Sequence, residues 1–475
     1  MNYEVIIGIE IHLELKTQTK MFSAAAVSAN APANTCVSPT DIAIPGTLPL
    51  LNEEAVRLAV MTAYALNCEI DDLLRFDRKN YYYADLPKGY QITQQDYPLG
   101  KNGFVTIKDQ GKVQNIRINR LHLEEDTAKL FHYETTTAID FNRCGVPLIE
   151  IVSEPDMRSG EQAMAYVEKL RSILYYLGVS DCKMENGSLR CDINISLRPE
   201  GTMAFGNKVE VKNLNSIANI GKAVNAEVNR QTALLDSGTT VEQSTYRYDE
   251  NSRQTILMRK KEGAVDYRYF PENNIPLIRL SKEFIEAAKA AIGELPDQRY
   301  QRYQNLGLND YDSQQLVNNK ALSDYFDEVC RYSDNYKSCC NWLLGDFSAY
   351  LAKELVEANA TAIKPEALGE LVALIDKQTI SSKQAKEVFQ EMLGGKMPQA
   401  IIAEKGLKQE SDETKIIALL ETVLNENPQS IQDYHQGKDR ALGYLIGQVM
   451  KLSQGQANPA MVSALLKSAL AQRKD

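Results

Sequence analysis

Residues 5–15 read Val5-Ile6-Ile7-Gly8-Ile9-Glu10-Ile11-His12-Leu13-Glu14-Leu15, or VIIGIEIHLEL. Val5, Ile7, Ile9, Ile11, Leu13 and Leu15 alternate strictly. Side chains along a strand alternate between faces, so this is a strand with one wholly apolar face. The other face carries Glu10, His12 and Glu14 in a row, about 7 Å from one to the next. Two readings are open for that row. It is a solvated polar face, or it belongs to a divalent metal site, because carboxylate oxygens suit Mg²⁺ and an imidazole can join them.

The same alternation recurs over Ser188–Arg198. There Leu189, Cys191, Ile193, Ile195 and Leu197 share one face, and Arg190, Asp192, Asn194, Ser196 and Arg198 the other. Lys208-Val209-Glu210-Val211-Lys212 repeats the pattern. Between them Ser159-Gly160-Glu161-Gln162 reads as a capping box opening a helix with Val167, Leu170, Leu174 and Leu177 on one face. Gly178 stands where a C′ glycine belongs. From about residue 281 the period changes to 3.6 and no strand alternation returns. Gly293-Glu294-Leu295-Pro296-Asp297 marks a boundary. A final unit begins near residue 406, where Leu442, Leu445, Ile446 and Val449 form one helix face and Asn458-Pro459 opens a last helix. From Tyr434 to the end there are six Lys/Arg against two Asp, a local net charge of +4.

At 475 residues the chain is too long for one ordinary core, so two to four domains are expected. Hydrophobic content of 44% and charged content of 24% are those of a folded soluble protein. A net charge of −10 argues against coating nucleic acid through bulk charge, but leaves room for a local basic patch. The start, MNYEVIIG, lacks the basic region of a signal peptide, and no apolar run is long enough to span a membrane. The eight cysteines are scattered without a CxxC pair, which reads as free thiols in a reducing cytoplasm.

Several common chemical signatures are absent: a GxxxxGK[ST] phosphate loop, GxGxxG after a strand, a GxSxG elbow and HExxH. Any use of ATP is therefore without a Walker-type loop. Two acidic features remain. Leu121-His122-Leu123-Glu124-Glu125-Asp126 crowds three carboxylates that repel one another unless a cation neutralises them or they point apart. Val146-Pro147-Leu148-Ile149-Glu150-Ile151-Val152 places one carboxylate in an apolar strand, where it faces solvent, is paired, or coordinates a metal. A third cluster, Phe76–Gln91, interleaves four tyrosines with Arg78, Lys79 and Lys88. It reads either as a tyrosine-rich sheet rim or as a surface that stacks nucleotide bases.

The stretches VIIGIEIHLELKT, FDRKNYYYADLPKGYQI, LHLEEDTAK, GVPLIEIVSEPD, SLRCDINISLRP, EVKNLNS and DYRYFPE resemble the B-subunit family of the bacterial tRNA-dependent amidotransferase, the aspartyl/glutamyl-tRNA(Asn/Gln) amidotransferase. ALGYLIGQVMK and GQANP resemble that family's C-terminal domain, so the likeness spans essentially the whole chain. It implies work with an amidase A subunit and a small C subunit. It implies binding of misacylated Glu-tRNA(Gln) or Asp-tRNA(Asn), phosphorylation of the side-chain carboxylate with ATP and Mg²⁺, and displacement of phosphate by ammonia. Joined to the pattern above, it predicts an α+β fold. An N-terminal mixed, largely antiparallel β cradle domain with the kinase site covers 1–292, a helical domain 293–405, and a small helical tRNA-binding tail 406–475.

The resemblance assigns His12, Glu125 and Glu150 as magnesium ligands and Glu10 as a carboxylate beside them. It assigns Lys79, Lys88 and Asp192 as polar residues near the ammonia exit and phosphate site. Glu125 shares strand parity with Leu121 and Leu123, so this assignment requires a turn or bulge to redirect it. Lys438, Arg440 and Lys451 are candidate tRNA contacts in the basic tail. Some family members build a zinc site from four cysteines in the segment corresponding to Met21–Pro45. Here that segment keeps only Cys36. One thiolate cannot hold a structural zinc, so none is expected. The alternative to the catalytic reading is a tRNA-binding assembly scaffold without activity.

Overall fold

The computed structural model describes residues 2–28, 30–260, 266–407, 412–453 and 456–473. Gly455 of the GQANP stretch, and Lys474 and Asp475 of the basic tail, lie outside the described residues. The chain forms two compact units, Met1–Pro296 and Asp297–Asp475.

In the first unit the strands that matter are β1 (Tyr3–Glu14), β2 (Glu69–Ile70), β3 (Asp77–Asn80), β4 (Tyr90–Thr93), β5 (Gly100–Asp109), β6 (Lys112–Glu125), β7 (Pro147–Ser153), β8 (Leu189–Pro199), β9 (Val209–Lys212), β10 (Ser244–Asp249), β11 (Gln254–Lys260) and β12 (Phe270–Pro271). Nine of them form one mixed sheet in the order β11-β10-β9-β8-β1-β7-β6-β5-β2. The β9–β10 pair is parallel and the other ladders are antiparallel. A small sheet pairs β12, β3 and β4.

The opening strand is thus the middle of the large sheet. Its apolar row, Ile7, Ile9, Ile11 and Leu13, is at most 1% exposed. That row belongs to one core with α1 (Glu53–Ala65), α2 (Gly160–Leu177) and α3 (Ile217–Asp236). Burying each such side chain contributes about 1.5–3 kcal/mol, so the apolar row draws the helices to one face of the sheet. The other row is left for chemistry. Register aligns it: His12 faces Glu150 on β7 and Arg190 on β8, while Glu10 faces Val152 and Asp192.

α2 begins as expected with Ser159 Oγ accepting from the Gln162 amide at 3.2 Å, and ends at Gly178 with φ of 70°. The capping box is only half formed. Gln162 accepts from the Arg158 amide at 2.8 Å, one residue upstream of the cap, and donates to Asp109 at 3.2 Å, tying the helix to β5.

The second unit contains helices and no strand among its described residues. Pro365 opens one helix, and Ser381 with Gln384 forms a complete capping box for the next. Asn458 accepts from the amides of Ala460 and Met461 to start the last helix, Pro459–Gln472. That helix shares its own core with Glu413–Glu426 and Asp439–Leu452 through Leu420, Leu445, Val449 and Leu466. Among the described residues no helix is long and apolar enough to cross a membrane.

Candidate active site

Three neighbouring strands of the sheet deliver one chemical cluster. His12 on β1, Glu124 on β6 and Glu150 on β7 each offer a ligand atom, and these atoms all lie within 4.8 Å of one another. His12 Nε2 is 3.4 Å from a Glu124 oxygen and 3.8 Å from a Glu150 oxygen. Both glutamates are buried, and His12 is partly open to solvent. Two hard carboxylates and one imidazole converging at this spacing fit a small divalent cation such as Mg²⁺, which keeps positions free for water or phosphate.

The structure places one expected ligand, Glu125, away from the cluster. No turn or bulge redirects Glu125. β6 stays in regular register with β7 through Leu148–Glu124 and Pro147–Glu125, and the only irregularity in that ladder lies at Val152/Ser153. Strand parity therefore holds. His122 and Glu124 look toward His12, whereas Glu125 goes the other way. Its carboxylate is taken by the Lys88 ammonium and by the Ile92 amide at 3.1 Å. The structure gathers His12, Glu124 and Glu150, and it leaves Glu125 and Lys88 as a separate buried pair. The period-two pattern carried this signal; the motif match alone did not.

His122, part of the acidic cluster seen in the sequence but given no role there, completes the group. It is fully buried between the two glutamates, with Nε2 3.1 Å from Glu150 and 3.8 Å from Glu124. Burial opposes its charged form, but Glu150 and Glu124 outweigh this and push its pKa up to about 9. Burial likewise opposes a charged Glu150, yet His122, His12 and Lys79 hold its carboxyl well below the usual range. Four groups thus compensate one another on a face that would otherwise strand buried charge.

The other expected residues surround this cluster unequally. Burial, reinforced by Glu150, Glu210 and Asp192, raises the pKa of Glu10, which accepts from Asn194 at 2.9 Å. Lys79 on β3 stands 5.0 Å from the Tyr267 ring and 5.8 Å from that of Tyr81. Burial opposes its charge, but the fields of Glu124, Tyr269 and Glu150 prevail and raise its pKa. Asp192 lies one residue pair along the sheet and is bonded to Lys212.

A cleft of about 1050 Å³ opens beside His12 on this polar face. Lys129, Arg143, Arg190 and Lys212 line it together with Glu14, Asp140, Glu185 and Asp192, so the wall offers charges of both signs. Arg190 is held by Asp126 at 2.8 Å, and burial together with Asp126 lifts the Glu14 pKa to about 7. In the second unit, Lys438 and Arg440 line a groove of about 490 Å³ with Tyr444. Lys438 pairs with Asp433 at 2.9 Å, and Lys451 is exposed in the last turn of its helix. Cys36 is half-buried, its amide bonded to Asn142 at 2.9 Å.

Comparison with known proteins identifies the family. The family model described as the GatB/GatE catalytic domain matches residues 5–286, and one described as a GatB domain matches residues 324–470. The B subunit of the aspartyl/glutamyl-tRNA(Asn/Gln) amidotransferase of Bacillus pumilus is 51% identical over 476 residues, covering 100% of both chains. That of Bacillus licheniformis is 52% identical over 469 residues, covering 98% of each, and that of Oceanobacillus iheyensis 51% over the full length of both. With matches that run essentially the whole length of these relatives at about half identity, the chain belongs to the B-subunit family of the aspartyl/glutamyl-tRNA(Asn/Gln) amidotransferases.

Proposed function

We propose that this chain is the carboxylate-activating subunit of a glutamine-dependent tRNA amidotransferase, working with an amidase A subunit and a small C subunit. Its substrates are Glu-tRNA(Gln), Asp-tRNA(Asn) or both, with ATP as phosphoryl donor. The observation that carries this reading is the convergence of His12, Glu124 and Glu150 at the edge of a cleft lined by charges of both signs.

The reaction has two steps. An oxygen of the substrate's side-chain carboxylate attacks the γ-phosphorus, releasing ADP and leaving an acyl phosphate. Ammonia then attacks the acyl carbon, phosphate leaves with its oxygen, and the amide sheds a proton. Mg²⁺ held by His12, Glu124 and Glu150 would supply charge neutralisation at the phosphate oxygens. The chain's own residues do the rest. His122 holds Glu150 in place. The Lys79 ammonium, fixed against tyrosine faces and near Glu124 and Glu150, offers a positive charge toward an incoming phosphoryl group. Arg190 and Lys212 add cationic character to the cleft wall. The lack of nucleophile motifs fits a division of labour in which glutamine hydrolysis belongs to the amidase partner. Lys438, Arg440 and Lys451 are proposed contacts to the phosphates of tRNA, whose duplex is poorly read by base edge.

The test is the reconstituted complex with misacylated tRNA, Mg²⁺-ATP and ammonium chloride in place of glutamine. ADP release that depends on misacylated tRNA, together with amidated product, supports the proposal. ATP left unconsumed by a complex that binds the tRNA would establish the scaffold reading instead.

A further inference from the structure

One buried ion pair lies outside the cluster and takes no part in the chemistry above. Lys20 is 0% exposed and Asp41 5%, with Lys20 Nζ 3.0 Å from Asp41 Oδ2. The ammonium also donates to the Phe141 carbonyl at 3.2 Å, and Asp41 accepts from the Ser38 amide at 2.8 Å. Gly145, with φ of 83°, passes over the pair so closely that a Cβ would meet Asp41 Oδ1 at 3.2 Å. Taking two charges out of water is costly, and an apolar pair of the same volume is often as stable. A charged pair in so dry a place therefore needs a reason other than stability.

Its position supplies one. Lys20 follows β1, the strand that carries His12. Asp41 ends a segment that contributes Val27, Ser28 and Ala31 to the lining of the large cleft. Phe141 stands in a second segment that contributes Asp140, Asn142 and Arg143. The two segments are laced together. The Phe141 amide donates to Asn34 Oδ1 at 2.7 Å, and the Asn34 side chain to the Ile139 carbonyl at 3.0 Å. The Cys36 amide donates to Asn142 Oδ1 at 2.9 Å, and the Asn142 side chain to the Pro32 carbonyl at 2.8 Å. They form one wall, and Lys20 grips both halves of it, through Asp41 in one and the Phe141 carbonyl in the other.

The wall also lacks the ligands for a metal fastener. Cys36 is the one thiol between Met21 and Pro45. Among the described residues, the group of His, Cys, Asp and Glu placed to hold an ion is the one around His12. We propose that Lys20 and Asp41 are positioning residues: their buried pair takes the place of a structural metal, fixes the cleft wall against the strand that carries His12, and so sets the affinity of the cleft for the aminoacyl end of the tRNA. That end carries an ammonium, a carboxylate and phosphates, and the cleft offers charges of both signs to meet them. A buried pair suits the task because any shift of the wall would separate two charges away from water. The assignment of the cleft to the aminoacyl end rests on the reading of the chain as the carboxylate-activating subunit.

The experiment uses the full chain in complex with its amidase and small subunits. Lys20→Met leaves Asp41 buried without a partner, whereas Lys20→Met with Asp41→Leu removes both charges and keeps the bulk. Asp41→Asn keeps the shape and gives the same kinetic reading should the double variant not fold. The measurements are the urea midpoint, zinc content, Mn²⁺ binding by electron paramagnetic resonance, and kcat and KM for misacylated tRNA with Mg²⁺-ATP and ammonium chloride. Lys20→Met should lower the urea midpoint, and the double variant should bring it back close to wild type. The double variant should bind Mn²⁺ as wild type does, yet raise KM for misacylated tRNA about tenfold with kcat within about twofold. Wild-type KM in the double variant would show that the pair serves stability only and would overturn the proposal. Loss of Mn²⁺ binding would also overturn it, because the effect would then be on the cluster and not on the wall. Stoichiometric zinc in the wild type, with the wall loosened by its removal, would overturn the metal-free fastening. A wild type that binds Mn²⁺ but amidates no misacylated tRNA would remove the activating-subunit reading, and the role at the cleft with it.

Discussion

The two faces of β1 carry residues from the same eleven positions and are held to different rules. On one face Ile7, Ile9, Ile11 and Leu13 are buried against helices, and each is compatible with its neighbours alone. On the other, Glu10, His12 and Glu14 depend on charges brought in from β6, β7 and β8. The apolar face can be read locally because burial is non-directional. The polar face cannot, because a buried carboxylate is tolerated only where a specific partner compensates it.

The largest test of that difference lies on the polar face. Glu150→Ala or Glu124→Ala should lower carboxylate activation by about 10³-fold, since each removes a proposed ligand and strips His122 of a compensating charge. Glutaminase activity of the amidase partner should persist in both. Glu125→Ala should keep Mn²⁺ bound, because its carboxylate faces Lys88 and the Ile92 amide. Mn²⁺ titration of the three variants decides the matter. Loss of Mn²⁺ binding in Glu125→Ala, with binding retained in Glu124→Ala, would show that strand parity is broken when the metal is present.

The apolar face should fail differently. Ile11→Ala in the fully buried row should destabilise the first unit by about 2–5 kcal/mol, through lost transfer energy and a residual cavity. Urea unfolding would show a lower midpoint. Mn²⁺ affinity, measured where the variant is still fully folded, should remain, since Ile11 points away from the cluster. A change in Mn²⁺ affinity without a change in stability would mean that the two faces are not independent.

These contrasts also mark what the sequence could disclose. Strict alternation at Val5–Leu15 and Leu189–Leu197 was enough to place both strands and their faces. The switch to a 3.6 period near residue 281 was enough to separate the sheet-rich from the helical part. Glu124 was legible too, by parity with His122, but following the motif match pointed to Glu125. His122 as the compensating charge, and the pairing of Lys88 with Glu125, were not legible. They depend on which strands become neighbours and in what register, and no local period encodes a partner about 140 residues away, as β7 is from β1.

The second unit, where Lys438 and Arg440 share a groove with Glu426 and Asp433, offers a weaker, more distributed contrast. Replacing Lys438, Arg440 and Lys451 together by Gln should reduce tRNA affinity by about tenfold and flatten the slope of log K against log salt by about 2–3 units. Filter binding of misacylated tRNA across a salt series measures both. Mn²⁺ binding in the first unit should not change. Equal slopes for variant and wild type would show that these cations do not meet phosphate.

The smallest expected effect returns to β1. Glu14 is lifted to about 7 by burial and by Asp126, against the opposing pull of Arg190 and Arg143. In the unfolded chain a glutamate titrates near its ordinary value of about 4.3. Between these two values the folded protein keeps a proton that the unfolded chain has lost. Stability of the metal-free chain must therefore fall as pH rises through that window, because the native state binds more protons than the unfolded one. The contribution is present in full below the unfolded value and is lost as pH passes about 7. Glu14→Gln removes the titration and should flatten the decline by about 1–2 kcal/mol, after allowance for its partial exposure. Ile11→Ala should lower stability at every pH and leave the shape of the curve alone. Urea midpoints from pH 4 to 8 (a range chosen to span about 4.3 to 7) separate the two. Parallel curves for Glu14→Gln and wild type would show that the Glu14 proton is not held by the fold, and that the floor of the cleft is already ionised at neutral pH.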